Sequence, residues 1–236
     1  MSAETPIAPR DSAAASVADE QRKKDRLELV IAILLGIVSI GIAYASFQAA
    51  LYDSRMAGAY QRGTALAGEA ESLYLEGNQT YVQDAELWNQ LLQLSIEAEG
   101  SDPVAAANAQ STADVLVFQA VSEDLAAAIQ WADAENAADP ETYYSPLDSE
   151  DYLAALFGGY HETKAEADAA VVEGDEANSL SDRLMLYTVL MSISLFLLGI
   201  AAVVRQYRVQ LLLVISGSAI FAVSAILTAM VPFIGL

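Results

Sequence analysis

Three stretches of this chain, residues 29–47, 184–204 and 211–231, contain no Asp, Glu, Lys or Arg. Each has the length, about 20 residues, that a helix needs to cross roughly 30 Å of hydrocarbon. No water reaches the bilayer core to satisfy an open backbone, so a spanning segment must close its hydrogen bonds internally, as a helix does. The expected architecture is an all-α membrane protein with transmembrane helices at 27–47, 184–204 and 211–231, joined by a short loop at 205–210 and ending in a tail at 232–236.

The charge lies elsewhere. Residues 48–183 carry 26 of the 32 acids against four bases, Arg55, Arg62, Lys164 and Arg183, so the whole excess of a chain with net charge −21 sits between the first two spans. Such a surface repels nucleic acid and anionic headgroups, and it favours cations, basic partners or a salty medium. With no Cys, disulfides, thiolate metal sites and Cys nucleophiles are excluded.

Orientation follows from the bases that remain. Arg22, Lys23, Lys24 and Arg26 precede the first span, and Arg205 and Arg208 lie between the second and third. Two crossings separate these clusters, so both fall on one side, and the positive-inside rule makes that side the cytoplasm. The N-terminus is then inside, while residues 48–183 and the C-terminus beyond Pro232 are outside, in the cell membrane of a prokaryote. Tyr44, Phe47 and Tyr52 mark the outer interface of the first span. Ala43-Tyr44-Ala45 imitates a signal-peptidase site, but the leader is long and the apolar run continues to Leu51, which favours an uncleaved anchor. Residues 1–26 have little bulky apolar surface and are expected to form a disordered cytoplasmic tail.

Within 48–183 the pattern is helical throughout. Residues 48–77 lack Pro and are rich in good helix formers, so the first helix is expected to continue outward. Ala59, Gly63 and Ala67 put small residues on one face, where another helix can approach closely. Gly77-Asn78 reads as a stop. A second helix then carries the stripe Tyr81, Ala85, Trp88, Leu92 and Ser95, widened by Leu87, Leu91 and Leu94. Asp102-Pro103 is a start signal, a cap followed by proline at the first helical position. Val115, Phe118, Val121, Leu125, Ile129 and Ala132 give a third helix its buried face, up to the breaker Asp139-Pro140. Residues 139–148, with paired Tyr143-Tyr144, form the clearest loop. A last helix starts after Asp148-Ser149, is weakened at Gly158-Gly159 and resumes toward the second span. The expectation is an antiparallel helical bundle inserted between spans one and two.

Chemistry is sparse. His161 is the single histidine, so a catalytic triad or a multi-His metal site would have to pass through it. Glu-x-x-His pairs of a di-iron bundle are missing, as are phosphate-binding loops and nucleophile elbows. Two carboxylate clusters, Asp148 with Glu150 and Asp151, and Glu173 with Asp175 and Glu176, could offer oxygens to Ca²⁺, yet neither has EF-hand spacing, and solvated acidic faces are the plainer reading. Asn78-Gln79-Thr80 is a glycosylation sequon in an expected outer turn. No ionisable group sits at depth in a span, which argues against a coupled transporter. The spans do carry small residues, Ala32, Gly36, Ser39 and Ala43 in the first and Ser216, Gly217, Ser218 and Ala222 in the third, suited to close helix association within the protomer or between protomers.

Two segments, Leu34-Leu-Gly-Ile-Val-Ser-Ile-Gly-Ile-Ala-Tyr-Ala-Ser-Phe-Gln-Ala49 and Asp182-Arg-Leu-Met-Leu-Tyr-Thr-Val-Leu-Met-Ser-Ile-Ser-Leu-Phe-Leu-Leu-Gly-Ile200, carry a likeness. They resemble an uncharacterised family of prokaryotic three-span membrane proteins with an Ala-Trp/Tyr-x-x-Tyr/Phe-Gln first span and a helical outer segment. Tyr44 stands where Trp is commoner. The resemblance implies three spans and brings no activity. The expected function is a non-enzymatic membrane assembly or accessory subunit, without cofactor, whose partners are the lipid bilayer and either further copies of itself or another membrane protein. A sensor of a cation or small solute and an oligomeric cation-selective pore are the alternatives.

Overall fold

The computed structural model describes residues 10–235, with side chains from residue 22 onward, Lys23 excepted. Five α-helices account for nearly all of it: α1 Arg10–Ala98, α2 Pro103–Ala120, α3 Glu123–Ala138, α4 Glu150–Val203 and α5 Tyr207–Ala229, with a 3₁₀ turn at Pro146–Asp148 before α4. No strand occurs among the described residues. Three of these helices, α1, α4 and α5, contain windows long and apolar enough to cross a membrane.

Proline placement explains much of this division. Pro9 stands just ahead of α1 and the next proline is Pro103, so α1 fills an interval with no residue that removes a backbone donor. The expected stop at Gly77-Asn78 is therefore corrected: α1 runs through it, and Gly77 is buried in mid-helix. Gly158-Gly159 likewise leave α4 unbroken. Glycine costs a helix only about 1 kcal/mol relative to alanine, which packing on a long helix readily offsets. α1 also begins at Arg10, so residues 10–26 are helical rather than part of a disordered tail; residues 1–9 lie outside the described residues. Ala13 to Ala15 and the Glu20-to-Lys24 run are strong helix formers leading into a helix already present.

The expected third helix is two. α2 ends at Val121, whose backbone is extended, and Ser122 caps α3 by accepting from the Leu125 amide at 3.1 Å, with Glu123 and Asp124 in the first turn. Capping chemistry at Val121-Ser122 thus overrides the apolar periodicity that runs across it. Leu125 and Ala132 are buried as expected, but Val115 is 50% exposed and Phe118 90%. Asp102 caps α2, its Oδ1 accepting from Val104 N at 2.9 Å.

The chain forms two compact units, Met1–Gly58 with Glu173–Leu236, and Ala59–Val172. In the first, buried residues recur every seven positions, Ile31, Val38, Ala45 and Tyr52 on α1 and Ala177, Leu184, Met191 and Leu198 on α4. In the second, Gly63, Ala70, Gly77, Asp84 and Leu91 of α1 repeat the same spacing. A seven-residue repeat is the signature of two helices wound around a shared seam. In the second unit a methyl added at Gly63 would lie 3.2 Å from the Ala167 carbonyl, and at Gly77 2.6 Å from that of Leu156, so α1 and α4 run antiparallel at backbone contact.

Candidate functional site

In the apolar unit Ile31, Val38 and Ala45 pack with Met191, Leu198, Ala201 and Val214, joining all three long helices. Dispersion and close fit must hold such a contact together in lipid, where leaving the solvent brings no hydrophobic gain. Gly217 on α5 supplies the closest approach: a methyl there would meet Leu198 at 3.1 Å and the Ser194 carbonyl at 3.3 Å. Ser194, fully buried on α4, donates its hydroxyl to the Gly217 carbonyl at 2.6 Å. Gly41 plays the matching part on α1, where an added methyl would meet the Phe221 ring at 3.0 Å.

The end of the chain folds back onto α1 in the same unit. Gln48, 2% exposed, donates from Nε2 to the Ile234 carbonyl and accepts the Ile234 amide on Oε1, both at 3.2 Å. Tyr52 donates its phenol to the Pro232 carbonyl at 2.8 Å. Val231 and Ile234 pack against Ala49, Tyr52, Ala177 and Leu184. These contacts satisfy backbone groups of the segment that follows α5, which no helix hydrogen bond takes up. Nearby, Ser181 donates to the Ala49 carbonyl at 3.2 Å, and Arg55 pairs with Glu173 at 2.9 Å on the surface.

The small residues anticipated in the spans are placed differently. Ala32, Gly36, Ser39 and Ala43 are all exposed, and a methyl at Gly36 would meet nothing within 4 Å. Ser39 folds its hydroxyl onto its own helix at Leu35 O. Ser216 and Ser218 are half-buried and Ala222 is exposed, so Gly217 is the packing residue of that group. In the other unit Ala59 and Gly63 are buried, while Ala67 is exposed; the seam passes through Leu66 and Ala70 instead. Arg22, Lys24, Arg26, Arg205 and Arg208 are exposed, and the Lys23 side chain lies outside the described residues.

The acidic unit has one buried carboxylate. Asp84, 6% exposed on α1, accepts from the phenol of Tyr152, 2% exposed on α4, at 2.7 Å. Burial foremost, then the hydrogen bond and charge of Asp84, push the Tyr152 phenol well above its ordinary value. Tyr152 also anchors a core with Leu125 and Ala128 of α3. The expected helix-81 stripe is thus off by one position, because Asp84 and Leu91 are its buried centre. A carboxylate with a dedicated donor defeats the rule that charges face water.

The loop at 139–148 is held from both sides. Asn136 accepts the Tyr144 amide on Oδ1 and donates from Nδ2 to the Tyr144 carbonyl, each at 2.9 Å. Tyr144 sets its ring edge-on to Trp131 at 6.2 Å, whereas Tyr143 is exposed, with its hydroxyl 3.4 Å from Trp88 Nε1.

The remaining candidates do not converge. Asp148, Glu150, Asp151, Asp175 and Glu176 are exposed, Glu173 is held by Arg55, and among the described residues no three metal-binding side chains cluster. Asn78 is exposed on the body of α1, not in a turn, and Thr80 donates to the Glu76 carbonyl of the same helix. His161 is exposed and leans on the Tyr160 ring at 4.9 Å. What the arrangement offers chemically is packing surface. Compared with known protein families, curated proteins and solved structures, the chain matches none, so the likeness to the three-span family rests on the two quoted segments alone.

Proposed function

We propose that the chain is a non-enzymatic assembly or accessory subunit of a prokaryotic cell membrane, anchored by three spans, whose acidic helical region outside the bilayer engages further copies or a partner. The observation that carries this reading is the face of α1 formed by Ala32, Gly36, Ser39 and Ala43. It is free of bulky side chains and unused within the protomer. Small residues on a lipid-facing helix surface let a second helix approach to backbone distance, and no contact among the described residues accounts for them. Placement of the basic cluster before the first span and of Arg205 and Arg208 on one side is supported by the packing of Leu27, Ile31 and Leu34 in one cluster with Ala201 and Val214, and their positive charge favours the cytoplasm for that side.

The test is Gly36→Leu in the full chain, extracted into nanodiscs from native membranes. The expected result is a shift toward monomer in native mass spectrometry with the thermal melt unchanged, because the added side chain meets nothing within the protomer. A wild-type chain that is monomeric and free of partners in the same preparation would sink the reading.

A further inference from the structure

Where α1 and α4 touch at backbone distance in the acidic unit, they leave a cleft of about 260 Å³ beside the contact. Two glycines shape it. Gly77 brings the helices together, and Gly159, where an added methyl would meet only Leu73 at 3.7 Å, leaves the space above its backbone unfilled. Leu73, Ala155 and Leu156 supply apolar wall, and Tyr160 supplies an aromatic ring. That ring is braced: it packs on Tyr74 at 5.4 Å, which packs in turn on Phe157 at 5.9 Å. The lining has one carboxylate, Glu76, and no base. Among the described residues no hydrogen bond or ion pair engages the Glu76 carboxylate. Thr80, also in the lining, already donates its hydroxyl to the Glu76 carbonyl at 3.1 Å.

From this we infer that the cleft binds the head of a small quaternary ammonium ion. The inference goes beyond the assembly reading and holds equally for a single copy of the chain. Charge excludes an anion: the acidic unit carries 21 acids between Ala59 and Val172 against two bases, Arg62 and Lys164, and so concentrates cations at its surface. A hard metal ion needs several oxygen ligands at once, and among the described residues no three metal-binding side chains cluster. A primary ammonium brings three N–H donors, which the cleft would oppose with one free carboxylate and apolar walls. A quaternary ammonium has no donor to satisfy. It presents methyl groups to Leu73, Ala155 and Leu156 and its charge to Glu76 and the Tyr160 ring, the pairing that favours cations over aromatic faces. Size agrees as well. Water takes about 30 Å³ a molecule in the liquid, so the cleft has room for roughly eight non-hydrogen atoms, a trimethylammonium group with a short arm. A free solute and a lipid head group share this chemistry, and the test separates them.

The full chain in a maltoside detergent free of choline lipid is titrated with choline, and the N-methyl resonance is followed by saturation-transfer NMR. A saturable signal that equal sodium does not displace is expected. Glu76→Gln and Tyr160→Leu should each weaken binding by about fivefold. Gly159→Leu should fill the cleft and abolish binding without lowering the thermal melt, because leucine is the better helix former and its Cβ meets only Leu73 at ordinary contact distance. Glu97→Gln, exposed on the same helix outside the cleft, removes the same charge and should leave binding unchanged. In nanodiscs, a choline signal lost with phosphatidylcholine but kept with phosphatidylglycerol assigns the head group to a lipid, and a signal equal in both assigns it to a free solute. No saturable signal, displacement by sodium, or equal weakening by Glu97→Gln and Glu76→Gln overturns the site.

Discussion

The apolar unit and the acidic unit are built on stretches of the same two helices, and in both the buried positions of α1 recur every seven residues. What fills those positions differs. The apolar unit buries Ile31, Val38, Leu184, Met191 and Leu198; the acidic unit buries Gly63, Ala70, Gly77, Ala167 and Ala170. In lipid both faces of a helix are greasy, so the seam is set by shape and by a few polar bonds such as Ser194 to Gly217. In water the outer face is marked by charge, and backbones can be drawn together by burying very small side chains. The first prediction tests that difference where it is sharpest. Gly77→Leu should destabilise the acidic unit by about 3 kcal/mol, the upper range for overpacking a tight site, because its Cβ would sit 2.6 Å from the Leu156 carbonyl. Gly68→Ala, at an open position of the same helix, should instead be neutral or stabilise by about 0.5–1 kcal/mol. Thermal melts of the full chain in detergent separate the two; equal melts would mean that α1 and α4 do not touch at Gly77.

The same contrast decides what could be read from the sequence. The three long apolar helices, the cap at Asp102, the break at Asp139-Pro140 and the start of α4 after Ser149 were all legible, because each depends on local chemistry that a short segment carries by itself. The face of the first span that packs within the protomer was not. Gly36, Ser39 and Ala43 look like a contact surface, and Gly41, which faces Phe221, looks like any other residue in an apolar run. Without a polar face for reference, period alone cannot say which side is inside. In the acidic unit the error had another source. Gly77 was read as a helix stop, when its role is to admit a neighbouring carbonyl, and the expected buried stripe left out Asp84. Its place seven residues after Gly77 on the buried seam was the available signal.

Asp84 also distinguishes the units by how each satisfies polar groups in its interior. Tyr152→Phe removes the donor and leaves a buried carboxylate unpaired, at an expected cost of about 2 kcal/mol. Asp84→Asn keeps an acceptor for the phenol and should cost less. The pair also predicts a pH dependence. The folded state holds the Tyr152 phenol protonated beyond its ordinary value of 10.0, so its contribution is fully present below about pH 10 and is lost as the pH rises further. Melting temperature followed from pH 8 to 11.5 should therefore fall more steeply for the wild type than for Tyr152→Phe. Parallel curves would show that the phenol is not buried against Asp84.

In the apolar unit the corresponding polar device is Gln48, and its effect should be the smallest of the three. Its amide exchanges two hydrogen bonds with the backbone of Ile234, and Tyr52 adds a third at Pro232. Replacing Gln48 by Leu keeps the bulk and removes both bonds, but at the edge of a membrane the freed backbone groups of Ile234 can turn to interfacial water. Hydrogen bonds within membrane proteins average about 0.6 kcal/mol for the same reason, that the alternative state finds partners too. The expected loss is about 0.5–1 kcal/mol, too little to unfold the unit. It should be visible as faster hydrogen exchange confined to residues 230–235, with α1 and α4 unchanged. Exchange that rises equally across all three helices would mean that the C-terminal segment is a structural keystone of the apolar unit, and would remove the distinction between a unit held by shape and one held by a buried polar pair.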